Sequence, residues 1–119
     1  MPRLLLITIT TALSLVAATA VAHASVDAHA ARTCSAPKYP GSGYFTSLSV
    51  TRVTCATGRK VVLAHYRCRT ARSRAGRCHR KVRRYSCSER RNSIPTEIQS
   101  RVTCRRGSKR VIYSYQQNL

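Results

Sequence analysis

Six cysteines in a chain of 119 residues constrain this fold more than any other feature. They are Cys34, Cys55, Cys68, Cys78, Cys87 and Cys104, and all of them follow a leader-like start. Met1-Pro2-Arg3 is positive, Leu4 to Ala20 is an unbroken run of apolar and small hydroxyl residues, and Ala22-His23-Ala24 is an A-x-A cleavage pattern. No charged stop-transfer flank follows, so residues 1–24 read as a secretory signal peptide. The competing reading is a retained N-terminal anchor, and Ala28-His29-Ala30 offers a later cut. Export carries thiols into an oxidising compartment, where an even cysteine count predicts three disulfides. Six cysteines allow about 15 pairings, and sequence alone does not choose among them. A mature chain on the order of 90 residues is small enough for an apolar core alone to be marginal. Each bridge is expected to contribute about 2–4 kcal/mol, chiefly by restricting the unfolded chain.

Two of the cysteines sit in a doubled motif. Thr51 to Tyr66 reads TRVTCATGRKVVLAHY, and Ser100 to Tyr115 reads SRVTCRRGSKRVIYSY. The copies share Arg-Val-Thr-Cys, a later Gly, a Lys, a Val and a closing Tyr. These are mostly scaffold residues, and the copies diverge in period. In the first copy Cys55, Gly58, Val62 and Tyr66 fall on one helical stripe with Val61 and His65 beside it. Leu63 and Ala64 favour helix, and Thr54 can cap its start. A helix is therefore expected over residues 56–68, with a hairpin as the alternative. In the second copy Ile98, Ser100, Val102 and Cys104 alternate with polar residues, Gly107 supplies a turn, and Val111, Tyr113 and Tyr115 alternate again. That pattern predicts a β-hairpin over residues 97–117.

Between and before these copies the signals are weaker. Residues 25–33 read as a loose arm, and the Pro- and Gly-dense stretch 36–43 as coil. Tyr44 to Val50 reads as a strand whose alternation slips near Thr51 or Arg52, which suggests a bulge or a break. Val82, Tyr85 and Cys87 suggest a strand over residues 79–89, with residues 90–95 as a connection. The folded domain is placed at residues 34–117.

Charge is the second constraint. Lys and Arg total 22 against three acids, Asp27, Glu89 and Glu97, and only four of the basic residues are lysine. Such a surface repels itself and attracts polyanions; the plainer explanation is a coding bias toward arginine at tolerant surface positions. The densest stretch holds Arg67, Arg69, Arg72, Arg74, Arg77, Arg80, Lys81, Arg83 and Arg84, and these are the candidate binding residues. Between Cys68 and Cys78 no apolar side chain exceeds Ala, so that segment is expected to be an exposed loop. Arginine forks suit phosphate or sulfate, and Tyr66, Tyr85, Tyr113 and Tyr115 could stack on bases or sugars if they are not core. Nucleic acid, a cell-wall polymer and an anionic lipid surface are all compatible partners, and binding is expected to be salt-sensitive.

Other chemistries have components but no constellation. Two histidines, or a Glu with a His, could serve a secreted nuclease, yet no motif gathers His65, His79, Glu89 and Glu97. His65-x-x-Cys68 with Cys78-His79 could in principle hold zinc, but exported thiols normally oxidise. An arginine-bearing disulfide loop could inhibit a trypsin-like protease, and a cationic antimicrobial effector is a further alternative. No enzyme activity, cofactor or metal is expected, and a monomer is.

The residues Val53-Thr54-Cys55, Val62, Tyr66, Cys78 to Cys87, Val102-Thr103-Cys104, Gly107 and Val111 resemble a loose group of uncharacterised small secreted cysteine-containing proteins of actinobacteria. That resemblance covers most of residues 34–115 and implies an exported α+β domain of order β-α-β-β-β, with no particular activity. On this footing the expected bridges are Cys68–Cys78, Cys55–Cys87 and Cys34–Cys104. The expected architecture is one helix packed on a small, largely antiparallel sheet, held by three disulfides.

Overall fold

The computed structural model describes residues 17–21 and 30–119. Most of the expected leader and most of the expected arm lie outside the described residues. No helix among the described residues is long and apolar enough to cross a membrane. The elements are β1 (Arg32–Thr33), β2 (Gly43–Thr51), α1 (Cys55–Thr70), β3 (Ser86–Ile94), β4 (Glu97–Arg106) and β5 (Lys109–Asn118). They form a small α+β domain in which all strands pair antiparallel in the order β1-β2-β5-β4-β3. The last strand in sequence therefore lies in the middle of the sheet.

Alternation explains the two inner strands. Ile98, Ser100, Val102 and Cys104 of β4 and Val111, Tyr113, Tyr115 and Gln117 of β5 are buried on one face. Leu48 and Val50 of β2 join them. The hairpin turns through Gly107 and Ser108, between the paired residues Arg106 and Lys109. Gly107 has φ 57°, a left-handed value that a Cβ would strain.

Helix α1 covers the apolar face of β2 and β5. Thr54 caps it, its hydroxyl accepting from the Thr57 amide at 3.1 Å. Gly58, Val61, Val62, His65 and Arg69 form its buried stripe. Gly58 lets the helix press onto the sheet, because a Cβ there would lie 2.5 Å from Val50 Cγ1.

Several expectations are corrected. The bridges are Cys34–Cys55, Cys68–Cys78 and Cys87–Cys104. Only Cys68–Cys78 matches the expected set; Cys34–Cys104 and Cys55–Cys87 do not form. Cys87 and Cys104 face each other in the β3–β4 register. Helix α1 begins beside β2, with β5 and β4 separating that strand from β3, so Cys55 bridges to Cys34 instead. The Cys34 amide donates to the Leu48 carbonyl of β2. Arg32 and Thr33, placed in the loose arm, form β1 and pair with Val50 and Ser49. Residues 90–94, read as a connection, are the second half of β3, and the tight turn comes at residues 95–96. Upstream, Val82 and Tyr85 form an isolated antiparallel bridge rather than the body of a strand. The slip in β2 resolves into two events. A register shift falls between Phe45 and Ser47, and Arg52, with φ 60°, ends the strand.

Candidate functional site

The side of the sheet facing α1 holds a polar cluster that sequence reasoning did not anticipate. Arg69, expected in an exposed binding loop, is 1% exposed, so it is not part of a binding surface. It extends the helix stripe by one turn beyond His65, and its guanidinium lies 3.9 Å from the Tyr115 ring centroid and 5.1 Å from that of Tyr66. It donates to Gln117 Oε1 at 2.8 Å and to the Tyr39 hydroxyl at 2.7 Å. Nε lacks a hydrogen-bond partner. Two neutral acceptors and aromatic faces thus hold a buried cation, with no carboxylate of the described residues in contact.

Glu89 lies on the same side of the sheet. It accepts from Arg91 Nε, the Ser100 hydroxyl and the Tyr115 hydroxyl. Burial alone would raise its pKa, but those donors and the Arg91 charge hold it below the usual carboxylate range. Arg91 also donates to the carbonyls of Ala75 and Gly76, which ties the 71–85 segment to β3. The Tyr113 hydroxyl hydrogen-bonds His65 Nδ1. Burial, aided by the charges of Arg69 and Arg91 against that of Glu89, lowers the His65 pKa to about 4.

The catalytic candidates therefore do not gather at an open site. His65 and Glu89 are committed to interior bonds, and His79 is exposed in the segment after Cys78. Glu97 accepts from Gln99 and from Gln116. Cys68 and Cys78 are joined to each other, and no group of three or more potential metal ligands occurs among the described residues. The tyrosines considered for stacking divide likewise: Tyr85, Tyr113 and Tyr115 are core, and Tyr66 is half-buried against it.

Two basic surfaces remain. One is the expected segment, where Arg67, Arg72, Arg74, Arg77, Arg80, Lys81, Arg83 and Arg84 are exposed. Part of it rims an open groove of about 630 Å³ lined by Arg72, Arg77, His79 and Arg80 among others. The second surface is the side of the sheet turned away from α1. Strand register assigns its residues. Arg90 lies directly opposite Arg101, and Ser88 opposite Thr103. Arg105 lies opposite Arg110, Ser114 opposite Ser47, and Gln116 opposite Tyr44. All four of these arginines are exposed, as is Tyr44, which is 64% accessible. Ser88, Arg90, Arg101, Thr103 and Arg105 line a shallow groove of about 250 Å³.

This face was missed because β3 has no apolar period. Its inward residues are Cys87, Glu89, Arg91 and Ser93, so neither side of the strand reads as hydrophobic. The usable signal was the Ser-x-Arg-x-Asn alternation of residues 88–92 opposite Gln99, Arg101 and Thr103. No family model, curated protein or solved structure matches the chain.

Proposed function

We propose that this chain is a secreted binding module whose uncovered sheet face takes an anionic polymer by electrostatics, without catalysing a reaction. The observation that carries the proposal is the cross-strand pairing of arginine with arginine at Arg90–Arg101 and again at Arg105–Arg110. Like charges placed directly opposite destabilise a sheet. A polyanion lying across the face removes that repulsion and accepts hydrogen bonds from the guanidinium forks. Ser88 and Thr103 add hydroxyl donors between the arginines, and Tyr44 adds an exposed ring at the far end of the face. Three disulfides suit an oxidising compartment.

Affinity for a single-stranded oligonucleotide, used as a phosphodiester probe, tests this across a salt series. Binding is expected to weaken steeply with salt. Each phosphate-contacting arginine replaced by Gln lowers the log–log slope by about 0.7. An affinity that does not change with salt, or a slope that does not change in R90Q/R101Q/R105Q, overturns the proposal.

A further inference from the structure

Three residues other than glycine have a positive φ among the described residues, and all three are arginines: Arg52 at 60°, Arg83 at 49° and Arg84 at 66°. The left-handed region is unfavourable for any side chain with a Cβ, and Arg has no local hydrogen bond to offset it as Asn and Asp do. The topology brings all three to the same end of the sheet. Arg52 directly follows β2, whose last residue pairs with Arg110, and it donates to Ser108 in the β4–β5 turn. Arg83 and Arg84 are the two central residues of the turn closed by Val82 and Tyr85, both buried. The next residue, Ser86, pairs with Arg105. Arg106 and Lys109 flank the β4–β5 turn between them.

The described carboxylate side chains are elsewhere. Glu97 pairs with Asn118 at the opposite end of the sheet, and Glu89 faces the interior. The cationic end continues directly from the Arg105–Arg110 pair of the open face.

A tight turn with positive φ at both central positions is the type I′ geometry, for which Asn-Gly is the favoured pair. Arg-Arg is a poor choice for folding at that point. Strained backbone of this kind persists where function uses it, and the left-handed conformation fixes the direction in which each side chain leaves the chain. We propose that the Arg83–Arg84 turn, with Arg52 and the β4–β5 turn beside it, is a built oxyanion-binding end. It takes phosphate or sulfate groups of the polymer that lies on the open face. The inference rests on the polyanion reading above and adds where the polymer is gripped and by which groups.

The test compares two double variants that remove the same charge. R83N/R84G relaxes the turn and removes two arginines from the proposed site; R72Q/R74Q removes two from the Cys68–Cys78 loop. Thermal midpoints are measured alongside dissociation constants for oligothymidylate and for heparin at fixed salt. R83N/R84G should melt about 5 °C higher than the parent and bind at least tenfold more weakly, whereas R72Q/R74Q should lose less than threefold. R83Q/R84Q, which keeps the turn without Gly, should lose binding as R83N/R84G does. A loss confined to oligothymidylate assigns the end to phosphate, one confined to heparin assigns it to sulfate, and a loss with both assigns it to either oxyanion. Equal weakening by the 83/84 and 72/74 variants, or a lower midpoint in R83N/R84G, overturns the inference while leaving polyanion binding intact. If the parent chain binds neither probe in a salt-dependent way, the broader reading fails as well.

Discussion

His65 makes the stability of this domain depend on pH in a direction that can be worked out. Its ring is buried and bonded to Tyr113, and its pKa falls from the ordinary 6.5 to about 4. Between those values the unfolded chain binds a proton that the folded chain refuses, so stability rises with pH across the window and is lost as pH falls. Linkage with these two pKa values gives a loss of about 2 kcal/mol on going from pH 7.5 to 5, and about 3 kcal/mol by pH 4. Denaturant melts with the disulfides intact measure this. Tyrosine fluorescence or circular dichroism serves as the probe, since the chain has no tryptophan. His65→Gln keeps a polar partner for Tyr113 and removes the titration. It should be less stable than the parent at pH 7.5, with the gap closing by about 2 kcal/mol at pH 5. The comparison cancels every other titrating group. Parallel stability curves for parent and variant between pH 7.5 and 5, or an imidazole midpoint near 6.5 by NMR, would refute the reasoning.

Other perturbations test the scaffold. Glu89 is held below the usual carboxylate range, so its contribution is present above that range and disappears as pH falls through its lowered value; Glu89→Gln should flatten the acid limb of the denaturation profile below that of His65. Gly58→Ala should destabilise by about 1–3 kcal/mol despite the helix preference of Ala, because the new methyl meets Val50; a rise in melting temperature would contradict that close approach. Cys68→Ser/Cys78→Ser should cost about 3 kcal/mol, from a bridge spanning 10 residues, as read by the denaturant midpoint. Arg69→Ala should cost about 3 kcal/mol, through lost packing and unpaired Gln117 and Tyr39 groups. If Arg69 were instead a surface ligand, the substitution would weaken polyanion binding and leave stability unchanged.

Fold class was legible where apolar period or capping chemistry was present. The β4–β5 hairpin follows from the alternation around Val102, Cys104, Val111 and Tyr113. Helix α1 follows from the Gly58–Val62 stripe and the Thr54 cap, although it runs on to Thr70. What stayed hidden was carried by polar residues in buried places. Arg69 continues an amphipathic stripe, but a guanidinium in the core depends on Tyr39, Tyr66, Tyr115 and Gln117 meeting around it, and those positions are distant in sequence. Strand β3 buries Glu89 and Arg91 against each other, so its hydropathy gives no sign of a sheet. The open face was obscured for the same reason, because its arginines become a set only once β3 and β4 are in register. Two of the three bridges were misassigned because pairing Cys55 with Cys87 requires the helix to start over β3, whereas α1 covers β2 and β5.

The arrangement of bridges has a consequence for how the chain can be made. Cys34–Cys55, Cys68–Cys78 and Cys87–Cys104 follow one another along the sequence without interleaving. A chain entering an oxidising compartment N-terminus first can close each bridge before the next pair of cysteines arrives, so pairing with the nearest free thiol gives the native set. No shuffling step is required. Strand β5, which has no cysteine, emerges after the last bridge and must then insert between β2 and β4. If the bridges close in that order, the sheet is completed last, by hydrogen bonds and by the burial of Val111, Tyr113 and Tyr115.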